Sequence, residues 1–558
     1  MFEEIQQGHV FVLPPIIESD DDAEYTNFVN DFADTDFCFR ATVPVPKTYK
    51  QAISSEESSR WIEAMDEEIK SLHSNNTYSL VPYPADAKVV GGRWVYAVKT
   101  DPGGTDRYKA RYVAQGFKQI NGEDYFETFA PTARMSTVRM LMQISVERGL
   151  VVHQLDVKTA YLNAPIDCEI FMKEPKGYET KGENVMVCRL NKAIYGLKQS
   201  GRMWNIELDK FLKSHNFKQS PYDPCLYSYC CNGDLVYVLI WVDDIVVAAS
   251  SDILMNKIKS WLKNRFKMKD LGVINCFLGI QFTVKNGTIT MDQSKYLENK
   301  LVKFKLDTCK SRTTPCEVTD YESTCDGGVD HRLYREMVGS LIYAMTCTRP
   351  DLSWAVSKLS RKLSNPSKGD FDMLKHVFRY VLGTVNYKLT FRKSVNGLQL
   401  FGFSDADWAG SKSDRKSTSG YCFMLNHNGP LISWKSRKQD SIALSSCESE
   451  YVAACAAAQE SIYLARLYND FAITKVGVDE SQTVIHVDNQ GAIGLAKNPV
   501  AHNKSKHIDI KFHFLRDVVM KKKITLKYVR SQDNVADVFT KVATKIKLNN
   551  FKDAMFGI

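Results

Sequence analysis

Residues 235–250, LVYVLIWVDDIVVAAS, set two adjacent carboxylates, Asp243 and Asp244, in the middle of an almost unbroken apolar run. A membrane-spanning helix needs about 20 apolar residues without a central charge pair, so the run does not read as one. Its β-branched content predicts two buried strands with Val-Asp-Asp between them. Asp-rich turns are common on surfaces. Tight hairpins, however, favour Asn-Gly or Asp-Gly, because the loop needs positive φ. Two negative charges beside a core are also costly unless compensated. A divalent cation offsets that cost. A surface turn and a metal-holding turn both remain open from these residues, and the second accounts for more of them.

A third carboxylate fits the same scheme. Asp156 lies at the end of an apolar strand predicted over 150–157 and is followed by VKTAYLN, a helix or turn start. One Asp at a strand end and an Asp pair in a hairpin can converge on two metal ions. That arrangement suits nucleotidyl transfer, in which metal activates the attacking hydroxyl and stabilises the leaving oxygen.

The surrounding chain reads as several domains. A helix is expected from 58 on, with Trp61, Met65, Ile69 and Leu72 on one face. Strands are predicted at 89–100 and 108–117 around the turn DPGGTDR, then helices at 135–148, 204–215 and 252–268. From 398 the order changes to three strands, a helix at 445–467, the strand TVIHVDN, a helix at 491–496, the strand ITLKYVR and a helix at 534–541. This is an α/β pattern. Four more carboxylates stand out there: Asp405 and Asp488, which end apolar strands where open α/β sheets place ligand groups, Glu450 inside a helix, and Asp537 near the last one.

Charge adds a partner class. Residues 1–39 hold ten acidic side chains and no Lys or Arg, so the rest of the chain carries all 73 basic groups against 55 acidic ones. A basic body suits a polyanion, nucleic acid first. The 14 cysteines contain no C-x-x-C pair or zinc spacing and are expected to be reduced thiols. No segment reads as transmembrane and no signal peptide is expected at the start.

The runs RWVYAVK, YKARYVAQGF, FAPTARMSTVRML, QLDVKTAYLNA, LNKAIYGLKQSGRMW, YDPCLY, WVDDIVVA, FLGIQ, TRPDLSWAVSKLSR, SDADWAG, STSGYCF, SWKSRKQDSIALSSCESEY and NVADVFTK stand in this order across roughly residues 50–545. In them the chain resembles the reverse transcriptase and ribonuclease H region of the Pol polyprotein of copia-type long-terminal-repeat retrotransposons. The resemblance implies an α+β right-hand polymerase with fingers, palm and thumb, followed by an α/β ribonuclease H-like domain. It implies a poorly ordered acidic leader at 1–40, fingers and palm at 41–290, a thumb or connection region at 291–395, the ribonuclease H-like domain at 396–545 and a C-terminal tail at 546–558.

It also implies roles. Asp156, Asp243 and Asp244 match the polymerase catalytic and metal-binding carboxylates. Tyr161 matches the aromatic under the incoming sugar. Gln199 lies in the motif lining the nucleotide pocket, and Lys109 and Arg111 lie on a fingers hairpin that grips the triphosphate. FLGIQ at 277–281 resembles the primer-contacting hairpin. Asp405, Glu450, Asp488 and Asp537 match the ribonuclease H tetrad, with Asp407 and Glu448 as neighbouring alternatives. Two Mg²⁺ ions per site are implied, with Mn²⁺ as the substitute. The implied partners are RNA template, DNA primer, RNA/DNA hybrid and deoxynucleoside triphosphates, with no membrane, and with Gag and integrase supplied from elsewhere. The implied location is a cytoplasmic particle, or the nucleus.

Several basic groups keep two readings. Lys257, Lys259, Lys263 and Arg265 can meet duplex phosphates or form a solvated face. Segment 500–548, with 12 Lys or Arg against 4 acidic residues, can track a hybrid. Its Lys521–Lys523 tract can serve as an import signal or as a solvated loop. Trp241 stands where the family has Tyr, and Gly201 where it has Pro, which is expected to loosen that turn. No His precedes Asp537 in YVRSQDNVAD. Protease, zinc-knuckle and integrase motifs are not found, so a reverse transcriptase–ribonuclease H unit or a truncated element is expected. Retention of all seven carboxylates favours an active enzyme over a relic that binds nucleic acid without turnover.

Overall fold

The computed structural model describes residues 44–558 except 86, 101–105, 183, 318–328, 472–482 and 498–508. The acidic leader at 1–40 lies outside the described residues. The chain divides into two compact units. One takes the chain up to Arg134 together with Val152–Gly272, and the other takes Met135–Val151 and Val273–Ile558.

In the first unit, helix α1 (Ser58–Ser74) buries Trp61, Met65 and Leu72 on one face, as the helical spacing predicts. That face packs on an antiparallel hairpin of β1 (Gly92–Thr100) and β2 (Asp106–Ala114). The Trp61 ring meets Tyr108 edge-on at 4.6 Å and Tyr96 at 5.2 Å, each pair adding about 0.5–1.5 kcal/mol to the burial itself. The strand expected over 89–100 is interrupted at Gly91, and Val89–Val90 joins a separate sheet. At Gly92 the approach is close, and an added Cβ would lie 2.0 Å from the Tyr112 hydroxyl. The second strand ends at Ala114, because Gly116–Lys118 turns into a short 3-10 helix.

The core of this unit is a six-stranded sheet. Its strands are β3 (Val151–Val157), β4 (Lys218–Gln219), β5 (Leu226–Cys231), β6 (Asp234–Trp241), β7 (Asp244–Ala249) and β8 (Met268–Val273). They run in the order β8-β3-β7-β6-β5-β4. β6 and β7 are buried almost throughout, which explains an apolar run without alternation. Helices α2 (Ser200–Ser214) and α3 (Asp252–Arg265) follow the 3.6-residue spacing. Gly201 sits in the first turn of α2. A proline is tolerated there and a glycine does not open a loop, so the loosening expected at this position is not found.

Most of the basic face expected on α3 is consumed within the chain. Lys259 is buried and pairs with Asp270 at 2.8 Å, Lys263 pairs with the other oxygen of Asp270 at 2.8 Å, and Arg265 pairs with Glu207. The two lysines hold the Asp270 carboxyl far below its usual range, against the upward pull of its partial burial. Only Lys257, over the Trp261 ring at 5.1 Å, has no carboxylate partner among the described ion pairs.

In the second unit, the FLGIQ run forms a tight hairpin between Cys276–Phe277 and Ile280–Lys285. Helices at His331–Cys347, Ser353–Ser360 and Lys368–Gly383 pack around Tyr334, Val338, Leu341 and Val377. The last part is a five-stranded mixed sheet of β9 (Phe401–Asp407), β10 (Thr418–Met424), β11 (Ser433–Lys438), β12 (Thr483–Val487) and β13 (Ile524–Tyr528), in the order β11-β10-β9-β12-β13. β9, β10 and β11 form an antiparallel meander, while β12 and β13 run parallel to β9. Helix α4 (Ser446–Phe471) packs on this sheet.

The helix expected at 534–541 is a 3-10 segment, Val535–Phe539. A helix at Asp509–Met520 was not foreseen. The terminal segment forms α5 (Lys545–Phe556), burying Leu548, Phe551, Met555 and Phe556 and ending at Gly557 in the left-handed region. Lys521 pairs with Asp517 at 2.8 Å, which ties the first residue of the basic tract to its own helix. Among the described residues, no helix is long and apolar enough to cross a membrane.

Candidate functional sites

The first site grows from the β6–β7 hairpin. Trp241 pairs with Asp244, so the loop is only Val242 and Asp243, and Asp244 is the first residue of β7. The expected three-residue Val-Asp-Asp connection is thus one residue shorter. Val242 takes φ +54°, a conformation costly for a β-branched residue, by about 1–3 kcal/mol. Its carbonyl accepts a 2.6 Å hydrogen bond from the Trp204 indole of α2, which holds the strained turn in place.

Sheet order brings in the third carboxylate. β3 lies beside β7, and the Val157 amide donates to the Asp243 carbonyl at 2.9 Å. Asp156 is therefore a neighbour of the turn although it lies far away in sequence. Burial pushes the Asp243 carboxyl above its ordinary range. A backbone hydrogen bond opposes this, Asp156 adds to it, and Arg111 and Lys109 pull the other way. Asp244 accepts from Gln154 Nε2 at 3.2 Å.

Lys109 and Arg111, two residues apart on β2, share the face toward Asp243. The Arg111 guanidinium lies 4.0 Å from the centre of the Tyr195 ring. Burial lowers its pKa, but Tyr195, Glu68 and Asp243 outweigh that and keep it raised. Tyr161 packs against Tyr195 with ring centres 4.7 Å apart, and burial together with Tyr195 and Asp243 pushes its phenol well up. Asp156, Asp243, Asp244, Lys109, Arg111 and Tyr161 therefore form one neighbourhood. Glu68, Tyr195 and Trp204 belong to it as well, and sequence reasoning missed them because only the folded sheet brings them near.

Gln199 stands apart. It is fully buried at the start of α2. Its amide oxygen accepts from Gln119 Nε2 at 3.1 Å, and its own Nε2 donates to the Asp124 carbonyl at 2.9 Å. Its side chain therefore braces a loop, with both ends of its amide engaged within the chain. Gln199→Ala removes two buried hydrogen bonds, leaving Gln119 Nε2 and the Asp124 carbonyl only their long 3.5 Å contact with each other, and is expected to cost about 1–3 kcal/mol in urea unfolding. A change below about 0.5 kcal/mol, the ordinary range for an indifferent surface position, would sink the bracing role.

The second site lies in the other unit. The parallel register pairs Ser404 with Val487, so the next residues, Asp405 inside β9 and Asp488 just past β12, fall side by side where that pairing ends. Glu450 reaches them from α4, its Oε1 accepting from the Ala406 amide at 3.2 Å. Ligand atoms of Asp405, Glu450 and Asp488 all lie within 4.8 Å of one another, which holds for no other trio of such residues among those described. Asp156, Asp243 and Asp244 are less tightly gathered. Burial raises the Asp405 carboxyl, against Thr540 and Lys541 and with Asp488 and Asp537, and burial followed by repulsion from Asp405 and Asp488 raises that of Glu450. Glu450 Oε2 is buried without a hydrogen-bond partner. An orphaned, buried carboxylate oxygen within a carboxylate trio is the chemistry expected of a divalent-cation site.

Asp537 is set beside them by Asn534, which donates to the Ser404 carbonyl at 3.0 Å and caps the 3-10 segment. Both Asp537 oxygens are ion-paired, one with Lys541 and the other with Lys547. Thr540 donates to Asp405 Oδ2. The alternative acids take other partners. Asp407 accepts from the Thr418 amide, and burial pushes it up to about 6. Glu448 accepts from the Leu444 amide at 2.9 Å. Sequence reasoning missed Thr540, Lys541 and Lys547. The one local signal was the i,i+4 spacing of Asp537 and Lys541.

Residues 75–318 match the family described as reverse transcriptase (RNA-dependent DNA polymerase). The retrovirus-related Pol polyprotein from transposon TNT 1-94 of Nicotiana tabacum is 36% identical over 523 residues, covering 91% of this chain and 38% of that one. A transposon Ty5-1 protein of Saccharomyces cerevisiae is 32% identical over 304 residues, covering 54% of this chain and 98% of that one. The chain spans little more than a third of the length of the tobacco polyprotein. A solved foamy viral protease-reverse transcriptase in complex with double-stranded DNA aligns over 85% of this chain and 70% of that one, with a TM-score of 0.50 and 11% identity. That likeness is one of fold.

Proposed function

The chain belongs to the reverse transcriptase family found in Pol polyproteins of copia-type retrotransposons, and from that premise we propose that it is an RNA-directed DNA polymerase with a C-terminal ribonuclease H. The observation that carries the polymerase reading is the placement of Asp156 beside the Asp243–Asp244 turn, with Lys109 and Arg111 facing it. Three carboxylates and two cations in one neighbourhood suit a deoxynucleoside triphosphate whose phosphates approach with metal. Asp156, Asp243 and Asp244 would hold the divalent ions, two Mg²⁺ or Mn²⁺. These would supply activation of the primer hydroxyl and neutralisation of charge on the phosphoryl group. Arg111, kept charged and oriented by Tyr195 and Glu68, would donate to the triphosphate. Tyr161 would carry the sugar. On this reading 41–290 serves as fingers and palm and 291–395 as thumb or connection, and the partners are RNA template and DNA primer.

The ribonuclease H reading rests on the Asp405–Glu450–Asp488 trio at the ends of a mixed sheet. There the carboxylates would hold divalent metal for hydrolysis of RNA in an RNA/DNA hybrid, with Asp537 as their neighbour. This reading takes 396–545 as the nuclease domain. In an active element the site of action would be a cytoplasmic particle.

The test is primer extension by the purified chain on an RNA template with Mg²⁺, with cleavage of a labelled hybrid followed in parallel. Template-dependent extension and hybrid cleavage are the expected results. A chain that binds template and extends nothing would instead support the relic that keeps nucleic-acid binding without turnover.

A further inference from the structure

The carboxylates of the second site are not compensated evenly. Asp405, Glu450 and Asp488 crowd together, and Glu450 Oε2 has neither a hydrogen bond nor an ion pair, whereas Asp537 Oδ1, also without a hydrogen bond, has the Lys541 ammonium beside it. Asp537, the fourth acid, is buried with an ammonium on each oxygen, Lys541 on Oδ1 and Lys547 on Oδ2. Lys541 also lies within electrostatic reach of Asp405, Asp488, Glu450 and Asp407. It is the cation that the whole cluster shares. Arg361 lies within electrostatic reach of Asp407 as well. Fully ionised, the five carboxylates face three fixed positive charges. The deficit is two, and one divalent ion closes it. A second divalent ion at Asp537 with both lysines in place would leave the cluster with two excess positive charges, so it would have to displace them.

We propose that the Lys541 and Lys547 ammonium groups stand in for a second metal at Asp537, so that this site binds one divalent cation, on Asp405, Glu450 and Asp488. The proposal rests on reading the cluster as a metal site and changes its metal count and the part assigned to Asp537. In this arrangement Asp537 is a positioning residue. Its carboxylate fixes the two lysines, and Lys541 stays oriented toward the bound ion and toward any phosphate brought to it. Thr540, the residue before Lys541, donates to Asp405 and ties this end of the chain to the ion-holding end.

The experiment uses the full chain carrying Asp156→Asn and Asp243→Asn, which removes metal binding at the other site. Mn²⁺ alone is titrated in, with the free ion followed by electron paramagnetic resonance. One Mn²⁺ per chain is expected, and it is lost on adding Asp488→Asn. With Lys541→Met and Lys547→Met together, a second Mn²⁺ is expected to bind. Methionine keeps the apolar stems, and a thermal melt reports folding. Two ions with the lysines intact, or an unchanged single ion without them in a folded chain, would overturn the proposal and leave the metal-site reading standing. No bound Mn²⁺ at all would overturn both. Should the double lysine variant fail to fold, Asp537→Asn decides the matter. One ion held with an affinity within about threefold of the parent is expected, whereas loss of a direct metal ligand weakens binding by at least the 10–100-fold typical of losing an outer-shell partner.

Discussion

Asp243→Asn is expected to abolish primer extension while leaving the chain at least as stable as it was. The rate effect follows from chemistry. An amide cannot supply the anionic oxygen that holds a divalent ion and offsets its charge, and a loss of about 10²–10³-fold is the scale for removing one preorganised electrostatic group from such a centre, a floor for a direct metal ligand. The stability effect follows from burial. The Asp243 carboxyl is raised above its unfolded value, first by desolvation and further by Asp156. A raised acid binds its proton more tightly in the folded state, so ionisation opposes folding. The penalty is absent below the unfolded value of about 4, grows as pH rises through the folded value and then stays. Asn carries no such penalty. The metal-free variant is therefore expected to match the parent in thermal melts near pH 4 and to exceed it at pH 7–8. Extension at the parental rate would remove Asp243 from the catalytic set. A variant less stable than the parent at pH 8 would overturn the account of its burial.

Opposite signs for activity and stability are what a site of this kind implies, and the sequence carried part of that message. The hairpin was legible because nothing but a two-strand turn accommodates adjacent aspartates in a long β-branched run. The position of Asp488 after its strand was legible for the same reason, whereas Asp405 lies within β9, which runs on to Asp407. The turn itself was not legible. Its loop is Val242 and Asp243, and a valine at positive φ violates local preference. It persists because Trp204, 38 positions away, bonds its carbonyl. Such a clash between local rule and observed backbone is where function is expected to sit.

Long-range ion pairing hid the rest. Lys259 and Lys263 read as an exposed basic face, yet the groups that settle their fate are on Asp270, in the following strand. Gln199 read as a pocket residue, yet Gln119 and Asp124, about 75–80 positions earlier, take both ends of its amide. α5 was within reach, because Leu548, Phe551, Met555 and Phe556 follow helical spacing between a Thr544 cap and Gly557. It was passed over because only its packing, in a bridge between Phe556 and Pro430, stabilises so short a helix.

At the second site Glu450→Gln is expected to lower hybrid cleavage by about 10²–10³-fold and to remove most of the stabilisation of the fold by metal. In the parent, Glu450 and Asp405 are both raised, chiefly by burial and then by neighbouring carboxylates, Asp488 among them. The metal-free fold therefore loses stability as pH rises above the ordinary carboxylate range. A divalent ion that binds only the folded state restores it, by about 2.7 kcal/mol at a hundredfold excess over its Kd. Gln keeps an oxygen for the Ala406 amide and turns a donor toward Asp405 and Asp488, so the variant is expected to melt higher than the parent without metal at pH 8. It is expected to gain little from added Mg²⁺. The measurement is a set of melts of parent and variant at pH 5 and pH 8, with and without 100-fold excess Mg²⁺. Equal Mg²⁺ shifts in the two proteins at pH 8 would place the ion elsewhere. A metal-free variant less stable than the parent would mean that the Glu450 charge is already balanced. That would remove the deficit of charge on which the single-ion site depends.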